Sequence, residues 1–380
     1  MMGTLRKGGI PVTKLLKSPA KYVQGANILQ EFDCYLQGMG NRLLVIISQS
    51  GTKRICPTLD VCFAGKDYQL FYEVFSGECS QRQIDRLVAA ARQNGCTAVA
   101  GIGGGKILDT AKAVAYDAKL PVVIVPTVAS TDSPCSSLSV IYHDNGEFDR
   151  YLFLDRCPDM VLVDTAVIAK APVKLLVAGM GDAMATWFEA RACRASGSNN
   201  QVHAKPTRAA GGLAAMCWDY LQKDGLQAKQ DLENGVHSEA VETIVEVNTY
   251  LSSVGFESGG LAAAHALQKG FTFIPQLHEL YHGNKVAFCT LTQLMLEQAA
   301  QEEVDAVLGF CCAVGLPVCF ADMDYPEVDH ALLRKAAEKA CVAGSTIHHM
   351  PFPVTADMVY EALLAADAAG TAWKAAHGIA

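Results

Sequence analysis

TAVAGIGGGKILDTAK occupies residues 97–112. A short apolar run comes first, then three successive glycines, then a segment with helical spacing. TAVAGIGGG (97–105) reads as a strand ending in a glycine turn, and ILDTAKAVAYDA (107–118) as the helix that follows. A strand that turns directly into a helix is the first half of a βαβ unit. The flanks repeat the pattern. LLVIIS (43–48) and FYEVFSG (71–77) are apolar runs of strand length. SQRQIDRLVAAARQNG (80–95) is a helix in which Ile84, Leu87, Val88 and Ala91 share a face and Gly95 ends it. PVVIVPT (121–127) is strand again. Strands spaced by helices of this size predict a parallel sheet.

SLSVIYHDNGEFDRYLFLD (137–155) interrupts the alternation with two strands around Asp144-Asn145-Gly146, and Asn-Gly is a strong hairpin signal. MVLVD (160–164) is one more strand. Beyond about residue 170, Ala-rich helical patterns such as VKLLVAGMGDAMATWFEARAC and SEAVETIVEVNTYLSSVG take over. The expected fold is an α/β N-terminal domain with a parallel sheet plus an all-α C-terminal domain. The expected divisions are an N-terminal tail over 1–17, the α/β domain over 18–168 and the helical domain over 169–380, with the boundary near Asp164–Pro172.

Composition narrows the function. The chain has 380 residues, is 51% hydrophobic and carries a net charge of -8 without a long basic run. That length suits two domains, and that charge argues against nucleic acid or an anionic membrane as partner. No apolar run has transmembrane length. MMGTLRKGGIPVTKLL is basic, lacks an apolar core of signal-peptide length and reads as a loose tail. The 14 Cys are scattered, with Cys311 and Cys312 adjacent and no C-x-x-C. They read as reduced cytoplasmic thiols, and a cysteine zinc site is disfavoured.

Three glycines at a helix start let a bound group approach the backbone, where free amides and the helix dipole favour phosphate. Lys106 adds a charge. The motif is neither Walker A, since Ala100 and Ile107 stand where Gly and Ser/Thr belong, nor G-x-G-x-x-G, whose third Gly is Lys106. An ordinary tight turn accounts for the same glycines. PTVASTDSPCS (126–136) also follows a strand and carries Asp132 among small hydroxyl residues. Ligand crevices form at the carboxyl ends of parallel strands, so the two clusters should be neighbours.

Two features point to metal. HELYH (278–282) matches H-E-x-x-H, in which two His bind zinc and the Glu acts as base of a peptidase. Against that reading, Gly283-Asn284 follows as a helix-stop signal and no G-x-x-H extension appears. In GDAMATWFEA (181–190), Asp182 is either a helix N-cap or a ligand.

Taken together, GIGGGKILDTAK, PTVASTDSPCS, VIYHDNGEFDRY, GMGDAMATWFEARAC, NTYLSSVGFESGGLAAAHAL and YHGNKVAF resemble glycerol dehydrogenase, the zinc branch of the iron-containing alcohol dehydrogenase superfamily. SPAKYVQGA (18–26) and GECSQRQIDRL (77–87) match too. The resemblance runs from about Ser18 to the last helices. It implies that the sheet is dinucleotide-binding and the helical domain metal-binding. Zinc would be held by Asp182, His265 and His282, leaving a fourth position open as catalytic zinc requires; these three are then the catalytic set. NAD would lie over Gly103, Gly104, Gly105 and Lys106, with Asp109, Thr127, Ser130, Ser136, Leu138 and Tyr142 at further cofactor positions. Asp132 matches the residue that hydrogen-bonds substrate hydroxyls. His278 lies outside the implied metal set.

Four positions depart from the pattern or refine it. Thr186 stands where iron-using relatives carry another His, which favours zinc. Ser48 replaces the Asp that holds the adenosine ribose, which weakens selectivity for NAD over NADP. Asn284 replaces the Glu of H-G-E-K, and Cys289 a common Gly. The implied activity is reversible oxidation of glycerol and related vicinal diols to dihydroxyacetone-type ketones. A metallopeptidase using His278, Glu279 and His282, and an NAD-binding protein without catalysis, are the competing readings. The expected form is a cytoplasmic homo-oligomer acting on a small polyol, with neither nucleic-acid nor membrane partners.

Overall fold

A computed structural model describes residues 13–379. Six strands form one parallel sheet: β1 (Tyr22–Gly25), β2 (Arg42–Ser48), β3 (Gln69–Phe75), β4 (Ala98–Gly103), β5 (Val122–Pro126) and β8 (Met160–Asp164), with β6 (Leu138–Tyr142) and β7 (Phe148–Phe153) as a separate antiparallel hairpin. The order across the large sheet is β1-β8-β5-β4-β2-β3. Helices α1 (Phe32–Tyr35), α2 (Gln49–Phe63), α3 (Gln81–Gln93) and α4 (Gly105–Ala118) join its strands. The expected α/β N-terminal region is therefore present, and its six-stranded sheet is parallel throughout.

The central strands are apolar on both faces because both are covered. In β2, Leu44 and Ile46 enter one core while Leu43, Val45 and Ile47 enter the other. Val161 and Val163 of β8 alternate in the same way with Met160 and Leu162. The first core is continuous with the helical half, so one sheet face is shared between the two halves.

After Asp164 the described chain is helical: α5 (Thr165–Ile168), α6 (Val173–Ser196), α7 (Arg208–Glu233), α8 (Glu239–Glu246), a π turn over Val247–Leu251, α9 (Ser252–Gly259), α10 (Ala263–Gly270), α11 (His282–Glu297), α12 (Gln301–Val314), α13 (His330–Ala340) and α14 (Ala356–His377). None is long and apolar enough to cross a membrane. The hairpin uses a longer loop than Asn-Gly alone suggests: His143 and Glu147 pair across it, and Gly146 takes φ +88°. That is a turn closed by a left-handed glycine.

The tail reading needs correction in its last part; residues 1–12 lie outside the described residues. Lys14 pairs with Lys205, Lys17 N–H donates to Ser258 Oγ at 3.0 Å, and Lys17 Nζ donates to Leu154 O at 2.9 Å. Residues 13–17 thus pack against both halves, with Lys205 and Ser258 on the helical side and Leu154 on the α/β side. β1 and α2 escape sequence reading, the first because four residues at a sheet edge carry little pattern, the second because Gly51 and Pro57 interrupt it.

β2 leads outward to β3, whereas β4 leads the other way to β5. The strand order therefore reverses between β2 and β4, which places a ligand crevice beyond Ser48 and Gly103.

Candidate metal centre and cofactor crevice

Asp182 lies in the third turn of α6 and is 0% exposed, so the N-cap reading is wrong. Its Oδ2 accepts the Asp132 N–H at 3.1 Å. Oδ1 lies 3.4 Å from His265 Nε2 and 3.3 Å from His282 Nε2, yet makes no hydrogen bond. Two imidazole nitrogens and one carboxylate oxygen converge within 4.8 Å of one another. A buried anionic oxygen facing two nitrogens without a hydrogen bond is costly unless a cation is shared among them. Two neutral nitrogen donors and one carboxylate suit Zn(II) or Fe(II). Burial alone would raise the Asp182 carboxyl, but His282 and His265 hold it well below the usual carboxylate range.

The three donors come from α6, α10 and the first residue of α11. Gly181 and Gly283 meet where α6 and α11 cross, and a Cβ on Gly181 would stand 2.4 Å from Gly283 O. This closeness brings His282 to Asp182. It also corrects the expected helix stop, since Gly283-Asn284 opens α11 instead of ending a helix. The H-E-x-x-H reading fails for the same reason. His278 precedes α11, is exposed, and its Nε2 pairs with Thr272 O at 2.9 Å.

Glu189 completes the arrangement and escaped sequence reading. It sits two turns after Asp182 on α6, 0% exposed. Glu189 Oε2 contacts His265 Nδ1, and Oε1 accepts N–H bonds from Ala262 at 2.8 Å and His265 at 3.0 Å. With Nδ1–H donated to Glu189, His265 presents its Nε2 lone pair toward Asp182. Burial would depress His265, but Glu189 and Asp182 raise it well above its usual value. A carboxylate at helical spacing from Asp182 on an otherwise apolar stretch was the available signal. Glu189→Gln should lower metal affinity about 10–100-fold, because the amide would donate to Nδ1 and move the ring proton onto Nε2. Metal titration by calorimetry checks this; unchanged affinity would remove Glu189 from the arrangement.

Thr186, one turn after Asp182, turns its hydroxyl to Ser252 Oγ at 2.8 Å, away from the donor set. Asn284 Oδ1 is buried without a hydrogen-bond partner. Cys289 is buried in α11, and burial pushes its thiol well up.

The crevice assembles beside this centre. Gly103 ends β4, Gly104 caps α4 without any side-chain help, and Gly105 begins the helix. First-turn amides of α4 have no intrahelical acceptor. Thr127 N–H donates to Gly103 O at 3.0 Å, so the two clusters expected to be neighbours are joined directly. Lys106 Nζ pairs with Glu78 Oε1 at 2.6 Å on the surface. Asp109 faces inward: Oδ1 lies 2.9 Å from Lys112 Nζ and Oδ2 accepts Val140 N–H at 3.0 Å. Ser136 Oγ and Leu138 O also meet the buried Lys112, while Ser130 and Tyr142 are half-buried. Burial pushes the Tyr142 phenol up to about 12. Ser48 caps α2, its Oγ accepting Gly51 N–H at 3.0 Å.

Asp132 links the two regions. It is 9% exposed, its Oδ2 has no partner, and burial with the neighbouring Asp182 pushes its carboxyl well above the usual range.

The iron-containing alcohol dehydrogenase family matches residues 19–165. A glycerol dehydrogenase of Escherichia coli O6:H1 is 51% identical over 359 residues, covering 94% of this chain and 97% of its own. The chain belongs to the glycerol dehydrogenase family. Two solved structures agree. Glycerol dehydrogenase from Schizosaccharomyces pombe superposes with TM-score 0.92 at 33% identity, covering 97% of this chain and 94% of that one. A probable glycerol dehydrogenase from Sinorhizobium meliloti 1021 gives 0.89 at 39%, covering 95% and 99%. The protein is thus an oxidoreductase of the glycerol dehydrogenase type.

Proposed function

We propose that the protein catalyses the NAD-dependent, zinc-dependent and reversible oxidation of glycerol and related vicinal diols to the ketone, dihydroxyacetone for glycerol. The observation that carries this reading is Asp182 Oδ1: buried, without a hydrogen bond, and facing His265 and His282. When bound, zinc supplies Lewis acidity that lowers the pKa of a substrate hydroxyl, and the nicotinamide accepts the hydride. The protein contributes position and polarity. Asp182, His265 and His282 hold the ion, with Thr186 turned away, which supports zinc over iron. Asp132 Oδ2, buried and free of partners, receives a second hydroxyl of the diol. Gripping both oxygens of a diol orients the reacting carbon. The amides at Gly104, Gly105 and Lys106 hold the cofactor diphosphate at the α4 start. All 14 cysteines are unpaired, which supports a reducing, cytoplasmic setting.

A turnover screen of diols with NAD and NADP, paired with metal analysis, tests the reading. Fully zinc-loaded protein that forms no NADH with any vicinal diol would defeat it. Selectivity gives a further expectation. Ser48 ends β2 at the crevice, where a carboxylate would grip ribose hydroxyls and repel a 2′-phosphate. Ser48→Asp retains the cap on α2, since Asp caps as well as Ser. It should shift the NAD/NADP preference toward NAD by about tenfold, near 1.4 kcal/mol, read as the ratio of kcat/KM values.

A further inference from the structure

The loop carrying Asp132 is held from the helical half on both sides of that residue. Asn248 Nδ2 donates to Ala129 O at 2.9 Å and to Leu176 O at 3.0 Å, bracing the loop against α6. Downstream, Ser253 Oγ bonds Asp132 O and accepts Cys135 N–H at 3.3 Å. Asp132 N–H is already committed to Asp182 Oδ2. The backbone of Asp132 is therefore fixed through its N–H by a metal donor and through its C=O by Ser253.

Asn248 and Ser253 come from one stretch, NTYLSS (248–253), which contains most of the π turn. A π turn inserts an extra residue into a helix and re-aims the side chains after it; such turns gather at functional sites. Four polar residues here are essentially inaccessible: Asn248 is 1% exposed, and Thr249, Ser252 and Ser253 are 0%. Their bonds differ in destination. Ser252 pairs with Thr186, inside the helical half, and Thr249 turns back to Val245 O. A serine in a helix commonly bonds its own i−4 carbonyl, and Ser253 does reach Thr249 O at 2.7 Å. That habit does not explain its place against the loop, where its one hydrogen is shared between Thr249 O and Asp132 O and its lone pair accepts Cys135 N–H.

We infer that Ser253, assisted by Asn248, is a positioning residue for Asp132 that sets recognition of the second hydroxyl of a diol. The inference rests on the proposed role of Asp132 as the diol contact. With the loop backbone pinned, the unpartnered Oδ2 of Asp132 keeps a fixed relation to Oδ1 of Asp182. A substrate then finds both grips at one spacing.

The test compares five variants of the zinc-loaded enzyme with wild type: Ser253→Ala, Ser252→Ala, Asn248→Ala, Asp132→Asn, and Ser253→Ala combined with Asp132→Asn. Ser253→Ala should raise the glycerol KM about tenfold, the worth of one well-placed hydrogen bond, with zinc content and NAD KM unchanged. Ser252→Ala removes an equally buried hydroxyl and should lower Tm similarly, yet keep the wild-type glycerol KM. In the Asp132→Asn background, Ser253→Ala should add nothing. Asn248→Ala frees the other side of the loop and should move the glycerol KM in the same direction. Failure of the diol reading shows as Asp132→Asn with wild-type KM. Failure of the positioning role shows separately, as Ser253→Ala behaving like Ser252→Ala or multiplying the Asp132→Asn effect. Either result overturns the inference.

Discussion

Asp182→Ala should yield a folded protein that no longer holds metal and no longer oxidises diols. Asp182 is the one carboxylate in the donor set, it is 0% exposed, and its Oδ1 has no hydrogen bond that alanine would remove. What alanine does remove is the charge that draws the two imidazoles together and, at Oδ2, the acceptor of the Asp132 N–H. The fall in kcat/KM should reach at least about 10²–10³-fold, the size that follows loss of one pre-placed electrostatic contact. A capping residue would behave otherwise: its loss costs about 1 kcal/mol and leaves a metal in place, and the third turn of α6 offers nothing to cap. Asp182→Asn separates the two jobs of the carboxylate, because an amide oxygen still accepts the Asp132 N–H while the charge is gone. Metal analysis and thermal unfolding read the outcome. Zinc at 100 times its Kd stabilises a binding-competent protein by about 2.7 kcal/mol, so wild type should gain Tm with zinc and both variants should not. Full zinc occupancy in Asp182→Ala would defeat the assignment.

Much of the α/β half was legible because its signals are local. β4, β5 and β8 are fully buried and β2 is buried between its two end residues, and such strands are written as near-continuous apolar runs. Gly146 at φ +88° had to be glycine or something close to it, and Asn-Gly announces that. The candidate metal centre was not locally legible. Its donors stand on three helices, and only resemblance to a family joined them in advance. Residue-level reading left Asp182 open between cap and ligand and misjudged Gly283-Asn284, for one shared reason. Glycine has two uses, access to left-handed backbone and absence of a side chain, and sequence does not say which applies. Gly181 before Asp182 looks like a helix boundary, and Gly283 after His282 looks like a stop. Neither has positive φ. Both are glycine because α6 and α11 touch there. Glu189 left only its helical spacing from Asp182 as a signal, and Asn248 and Ser253 left none, since each acts through a partner distant in sequence.

That contact makes Gly283→Ala the second large expectation. A Cβ at Gly283 would lie 1.7 Å from Ala178 O, 2.6 Å from Ala178 C and 3.1 Å from Asp182 N. All three atoms are helix backbone, so no side chain can rotate away. Relief requires the start of α11 to retreat from α6 by about 2 Å to reach ordinary contact. His282 is the neighbouring residue and must move with it, while Ala178 lies one turn before Asp182 on the opposing helix. A single methyl therefore pries apart two of the three donors. Overpacking at an unyielding site costs about 3 kcal/mol or more, and that much should appear in denaturant unfolding of the metal-free protein. Zinc affinity should drop in addition, because the donors no longer converge within 4.8 Å. Gly212→Ala is the control. It lies in α7, and a Cβ there meets nothing within 4 Å. It should stabilise the protein by about 0.4–1 kcal/mol through the unfolded chain and leave zinc binding alone. If Gly283→Ala matched it in stability and zinc affinity, the crossing of α6 and α11 would not be what holds His282 against Asp182.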